Sequence, residues 1–241
     1  MTPALGAELF PSGRLRAGIN HSNFLLVRPG SPHGAPQGIA PDLALELARR
    51  LGVPVEYASF DGAGKLADAV ASAAVDVGLL ASEAERANVI EFSSAYLELP
   101  VTYLVQAGSP IRSIADVDAK GMRIAVSARS AYDLYLTRTL KHAKLVRAAG
   151  IPASYALFAA QQLDAVAGLK PGLLAEAQKH PGARVLDGQF TAVQQSIGVP
   201  KGRAAAAAYV RDFVEDVKRS GLVARLVERH RVSGVNVAPP A

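Results

Sequence analysis

The residues best suited to chemistry lie in the run Glu85-Arg86-Ala87-Asn88-Val89-Ile90-Glu91-Phe92-Ser93-Ser94-Ala95-Tyr96, where an arginine just past an expected strand end precedes an apolar strand and an aromatic. A guanidinium is always charged and presents a planar fork of N–H donors, so in a site partly closed from water it holds a carboxylate bidentately. That chemistry is capture of an anion. The competing reading is a surface arginine paired with Glu83 or Glu85, because exposed ion pairs are common and weak. Signatures of bond-breaking chemistry are scarce. There is no Walker loop, no Gly-x-Gly-x-x-Gly after a strand, no Gly-x-Ser-x-Gly elbow and no zinc-spaced histidine pair, so neither a metal nor a cofactor is expected. The histidines His21, His33, His142, His180 and His230 each stand alone. His142 and His180 fall near expected helix ends, where a histidine serves as a favourable C-terminal charge. His21 differs, because it follows the first strand at the carboxyl edge where open α/β sheets bind ligands.

The elements that position these residues read as two α/β series. Residues 15–20 form a strand running into the polar loop Asn20-His21-Ser22-Asn23, and the Pro/Gly-rich insert at 29–38 reads as a hairpin or surface loop. Pro41 and Asp42 suit a helix first turn, Leu43, Leu45, Leu47, Ala48 and Leu51 supply its apolar face, and Gly52 stops it. A strand at 53–58, a helix at 65–74 and a strand at 75–80 complete a βαβαβ run, which implies a mainly parallel sheet. The pattern restarts with strands at 101–105 and 122–126, a helix at 131–142, a strand at 144–147, a helix at 154–162, a strand at 164–168, a helix at 170–179 and a strand at 183–186. An extended connector at 191–199 and helices at 204–220 and 222–230 follow.

Composition narrows the function classes. The chain has 241 residues, 50% hydrophobic and 20% charged, enough for one large or two small domains with real cores. No apolar run approaches the ~20 residues that span a bilayer, so it is not expected to cross a membrane. The N-terminal residues lack a basic region followed by an apolar one, so no secretory signal is visible. Without cysteine there is no disulfide, thiolate metal site or cysteine nucleophile. Net charge is +5, from 26 basic and 21 acidic residues, but the basic residues are spread along the chain and aromatics make up only 6%. Nucleic acid is therefore a poor expectation, and attraction to a small anion fits better.

Four landmarks, in order, resemble the type 2 periplasmic binding proteins (periplasmic binding protein-like II), and among them the solute-binding protein family 3, whose best-known members serve amino-acid ABC transporters. They are Gly38-Ile39-Ala40-Pro41-Asp42-Leu43, Ser59-Phe60-Asp61-Gly62, the Glu85-Arg86 run through Tyr96, and Gly121-Met122-Arg123-Ile124-Ala125-Val126. The resemblance runs from about residue 13 to about residue 232. It implies two Rossmann-like α/β lobes, 1–100 plus 195–241 and 101–194, joined by two hinge strands near 99–104 and 192–198, with a ligand trapped between the lobes as they close. It also implies that Arg86 grips the ligand carboxylate, with Ser82 near the groups that accompany it. Phe60 would pack on the ligand, with Phe24 and the loop of Asn20, His21 and Asn23 at the other wall. Ser130 would offer a hydroxyl at a helix N-terminus. A periplasmic location and an ABC permease partner follow from the resemblance, and the lack of a visible signal makes a cytosolic sensor or orphan binder the alternative. An enzyme resembling cyclohexadienyl dehydratases is a further alternative, with His21, Glu83, Asp133 and Lys170 as its candidate acids and bases.

Departures from the family bear on the ligand. The segment from Asp76 to Arg86 looks about two residues short, so the loop carrying Ser82 is expected to be remodelled. Where amino-acid binders place an aspartate for the α-ammonium, this chain has Leu169 followed by Lys170, and Arg129 stands where glycine is common. Leucine cannot accept an ammonium hydrogen bond. The expected ligand is therefore an organic anion without a free amine, unless Lys170 and Arg129 face solvent and Asp133 or Asp187 supplies the acid.

Overall fold

The computed structural model describes residues 2–30 and 34–241; His33 and the middle of the 29–38 insert lie outside them. Along the chain the elements are α1 (Pro3–Leu9), β1 (Leu15–Asn20), α2 (Ile39–Leu51), β2 (Val55–Phe60), α3 (Ala63–Ala71), β3 (Val77–Ala81), β4 (Ile90–Phe92), β5 (Leu97–Val105), β6 (Arg123–Ser127), α4 (Ala131–Thr139), β7 (Lys144–Ala148), α5 (Ile151–Ala160), β8 (Ala165–Leu169), α6 (Lys170–Ala177), β9 (Arg184–Val185), β10 (Thr191–Pro200), α7 (Ala204–Arg219), α8 (Leu222–Arg229) and β11 (Asn236–Val237). The chain divides into two compact units, Met1–Glu98 with Gln194–Ala241, and Leu99–Val193. It passes from one to the other inside β5 and returns inside β10.

In the first unit the strand order is β2-β1-β3-β10, with β1 parallel to β2 and β3, β10 antiparallel to β3, and β4 antiparallel to β10. The crossover helix α2 buries Leu43, Ala44, Leu47, Ala48 and Leu51 at helical spacing and ends on Gly52, whose φ of +67 favours glycine. The second crossover helix, α3, is short and approaches the sheet closely. A Cβ on Gly18 would sit 2.3 Å from Leu66 Cδ1, and one on Gly78 2.4 Å from Val70 Cγ2, so glycine at these two strand positions is what lets α3 dock. Because β1, β2 and β3 are parallel, Asn20, Phe60 and Ala81 finish at one edge. At the opposite end the fully buried Asp76 accepts bonds from the Arg16 backbone N–H (2.9 Å), Nε (3.1 Å) and Nη2 (2.6 Å).

Helix α1, which the sequence reading left unassigned, is held from outside. Thr2 accepts from Leu5 N–H, Arg203 Nη1 donates to Glu8 O at 2.6 Å, and the Glu8 carboxylate accepts the N–H of Ala206 in the first turn of α7. The last residues are fastened in the same unit. Strand β11 pairs with Leu97 and Glu98, and the buried Lys218 ammonium donates to Pro239 O and Ser94 Oγ beside Glu215.

Between α2 and α7 an ion network predicts acid sensitivity. Glu46 meets Arg49 at 2.7 Å and Arg50 at 2.8 Å, and Arg50 continues to Asp216 at 2.6 Å. Hydrogen bonding by Arg49 chiefly, and by Arg50, outweighs burial and lowers the Glu46 pKa from 4.5 to about 2. A carboxylate held below its unfolded value stabilises the fold above that unfolded pKa and loses the contribution as pH falls through the folded one. Thermal melts should therefore show Glu46→Gln costing about 1–2 kcal/mol at pH 7, with solvent around Arg49 screening part of the attraction. The gap to wild type should close between pH ~4.5 and ~2. A gap independent of pH would refute the assignment.

In the second unit the order is β5-β8-β6-β7, with β6 parallel to β7 and β8, and with β8 and β9 both antiparallel to β5. Ile124, Val126, Val166, Phe158 and Leu173 are fully buried between this sheet and its helices. Ser127, Ala148 and Leu169 end the three parallel strands at a common edge.

Candidate functional site

At the carboxyl edge of the first unit, β3 ends at Ala81 and the chain turns through Ser82 to a 3-10 turn at Arg86–Asn88. Arg86 is buried, 6% exposed, and its Nη1 donates to Ala81 O at 2.8 Å. It is not a surface arginine; the bond pins its guanidinium to the end of β3. Ser82 is tied to β10, its N–H donating to Gln194 O at 3.0 Å and its hydroxyl to the same oxygen at 3.4 Å. A hollow of about 550 Å³ also involves Ser82, with Glu91, Phe92, Lys201 and Arg211 around it.

One strand away, the loop after β1 is folded by its own backbone. Ser22 N–H donates to Asn20 Oδ1 at 3.1 Å, while Asn23 O accepts from Leu26 and Val27. Asn23 is buried and its Oδ1 has no partner among the described residues, whereas Phe24 is 38% exposed. His21 N–H donates to Phe60 O at 2.8 Å, and its Nε2 lies 3.0 Å from Ser59 Oγ. Phe60 is half-buried and packs against the cluster of Leu66, Val70 and Val75 under α3. Nothing local in the sequence shows that Ser59, 38 positions away, meets His21. Parallel strands ending together were the available signal.

The second unit brings Arg129, Ser130, Leu169 and Lys170 to its edge. Ser130 caps α4, its hydroxyl accepting the Asp133 N–H at 3.1 Å. Arg129 sits at φ +55, a left-handed position that costs a residue with a Cβ about 1 kcal/mol. Its N–H donates to Asp133 Oδ2 at 2.7 Å, which offsets that cost. The Asp133 carboxylate is almost wholly buried and also accepts from Arg147 Nε at 2.9 and 3.1 Å. Asp133 is therefore an internal organiser of the Ser127–Ser130 turn, for which the Ser-x-x-Asp spacing from Ser130 is the sequence signal. Leu169 is buried at the end of β8, and the Lys170 ammonium reaches Gly188 O at 3.5 Å. Asp187 is exposed. Among the described residues no cluster of metal-binding groups is present, and no helix is long and apolar enough to cross a membrane.

Two such units exchanging the chain twice define the type 2 periplasmic binding protein fold. The chain matches the model for bacterial extracellular solute-binding proteins, family 3, over residues 23–232, and it belongs to that family. Among solved structures it is similar to a variant of ArgBP from T. maritima, with 22% identity, 95% of this chain and 99% of that one covered, and a TM-score of 0.79. It is also similar to an amino acid ABC transporter substrate-binding protein from Streptococcus pneumoniae bound to L-arginine, with 19% identity, 95% and 98% covered, and a TM-score of 0.78. A third is an ancestral amino acid-binding protein described as a precursor of cyclohexadienyl dehydratase, with 23% identity, 92% and 97% covered, and a TM-score of 0.76. Among curated proteins none matches.

Proposed function

We propose that the chain is the non-enzymatic solute-capturing component of an ABC-type transport system outside the cytoplasm, and that its solute is a small carboxylate without a free α-ammonium. In this reading Arg86 is the carboxylate grip of the first unit, and Ser130, with the N-terminal N–H groups of α4, is an anion-binding end in the second. Phe60 with Phe24, and the loop of Asn20, His21 and Asn23, receive the rest of the ligand beside Ser82, while Arg129 and Lys170 add positive charge. The observation that carries the amine-free reading is the commitment of Asp133 to Arg147 and Arg129, next to a buried Leu169. An ammonium brought to that edge would meet Lys170 and no acid of α4.

A thermal-shift screen tests this, since a ligand of the native state raises its melting temperature. Keto acids and dicarboxylates should raise it, free amino acids should not, and the acids should be recovered unchanged. Stabilisation by amino acids alone would reject the amine-free reading and point to the exposed Asp187. Chemical conversion of the acids would favour the dehydratase reading, whose support is the likeness to the ancestral precursor.

A further inference from the structure

We infer that His21 and Ser59 form a single donor that reads a second acceptor group on the ligand, so that the solute is a short dicarboxylate rather than a monocarboxylate. This rests on the proposed role of Arg86 as the first carboxylate grip.

The two side chains come from adjoining strands. Ser59 lies in β2 level with Ile19, and His21 follows β1 directly after Asn20, which is paired with Phe60. The backbone bond from His21 to Phe60 O fixes the loop, and the ring nitrogen then falls 3.0 Å from the hydroxyl. Among the described residues neither side chain has another hydrogen-bond partner. Ser59 is exposed and His21 half-buried, so the pair is open to a ligand.

The chemistry follows whichever way the proton lies. If Nε2–H donates to the hydroxyl oxygen, the hydroxyl hydrogen remains to be given away. If the hydroxyl donates to Nε2, the proton is on Nδ1 and remains to be given away there. Each arrangement leaves one donor over, and each is satisfied by an external acceptor. A neutral apolar tail would leave it unmet.

The register sets the spacing. Ile19 is level with Leu79, the last pair of β1 with β3, and the same register continued two residues brings His21 toward the level of Ala81, the residue whose carbonyl anchors Arg86. The histidine lies one strand from that anchor, and the serine two strands away and two residues short of its level, which puts the pair roughly 5–12 Å from it. Two acceptors on one small ligand, separated by that order of distance, describe a dicarboxylate such as succinate or glutarate.

Calorimetric titration with butanoate, succinate and glutarate tests the assignment. Wild type should bind one of the dicarboxylates at least tenfold more tightly than butanoate. His21→Ala and Ser59→Ala should each lose most of that preference, weakening the dicarboxylate far more than butanoate, and His21→Gln, which keeps a side-chain N–H, should regain part of it. Arg86→Ala should weaken all three acids. Equal binding of butanoate and the dicarboxylates, or an undiminished preference in both alanine variants, would overturn the role of the pair and leave the carboxylate reading standing. Failure of all three acids to bind wild type would overturn both.

Discussion

Replacing Arg86 with alanine should weaken binding of the carboxylate that stabilises wild type by about 2–5 kcal/mol, a loss of roughly thirtyfold to several thousandfold. The size follows from burial. A carboxylate brought to a guanidinium that is 6% exposed is drawn out of water, and without the cation it meets an apolar strand end instead. The same change strips a donor from Ala81 O, so the apo protein should also lose about 1–3 kcal/mol of stability. Arg86→Lys separates charge from fork: it keeps the cation and loses the planar pair of donors, so its affinity should lie between the two. Calorimetry on a variant shown to be folded by its melting curve is the measurement. Unchanged affinity in Arg86→Ala would remove this residue from the site.

Much of the scaffold was legible because local patterns and tertiary demands agree. The apolar spacing from Leu43 to Leu51, closed by Gly52, specifies α2 and its end, although Leu45 of the expected apolar face is 53% exposed and the helix begins at Ile39 rather than Pro41. Failures occur where a distant group decides. Helix α4 was expected to reach residue 142 but stops at Thr139, because Asp118 takes the N–H groups of Lys141, His142 and Ala143 at 2.8–2.9 Å and draws the chain out of the helix. Helix α5 starts at Ile151 rather than residue 154, since Gly150 at φ +85 and Pro152 form its entry. Strand β5 begins at Leu97, four residues before the expected start, with Pro100 tolerated inside it. Helix α1 and strand β11 are too short to carry a pattern and depend on α7 and β5.

The site divides in the same way. Arg86 stands out as a candidate because its chemistry is in its own side chain, and Leu169 and Lys170 because an acid missing against the family pattern is visible in a sequence. The pairing of His21 with Ser59 and of Asp133 with Arg147 was not, as both join residues from different strands or helices. Strand boundaries matter here: β2 runs two residues beyond the expected strand, which places Ser59 and Phe60 inside the pairing register with Ile19 and Asn20. A strand ending at residue 58 would have left both on a loop, with no reason to meet His21.

The second large effect is expected far from the ligand edge. Asp76 lies at the start of β3, wholly buried, and its carboxylate satisfies the backbone and side chain of Arg16 on β1, with Arg203 a further 3.8 Å contact. Asp76→Ala would leave a strand N–H without its acceptor and two cations without their counter-charge, and breaking such a pair costs about 3–5 kcal/mol. The value should fall near the lower end, because the Arg16 side chain is 30% exposed and water replaces part of what it loses. Arg16 also keeps its bonds to Ala73 O and Ala74 O. Asp76→Asn retains an acceptor for the Arg16 N–H and should cost less than half as much. Denaturant unfolding of both variants gives the comparison. If β3 transmits strain along its length, carboxylate affinity should fall in Asp76→Asn as well, since Ala81 and the Arg86 anchor lie at its other end. If affinity holds while stability drops, the two ends of β3 are energetically separate, and the clamp is set by the turn that carries it.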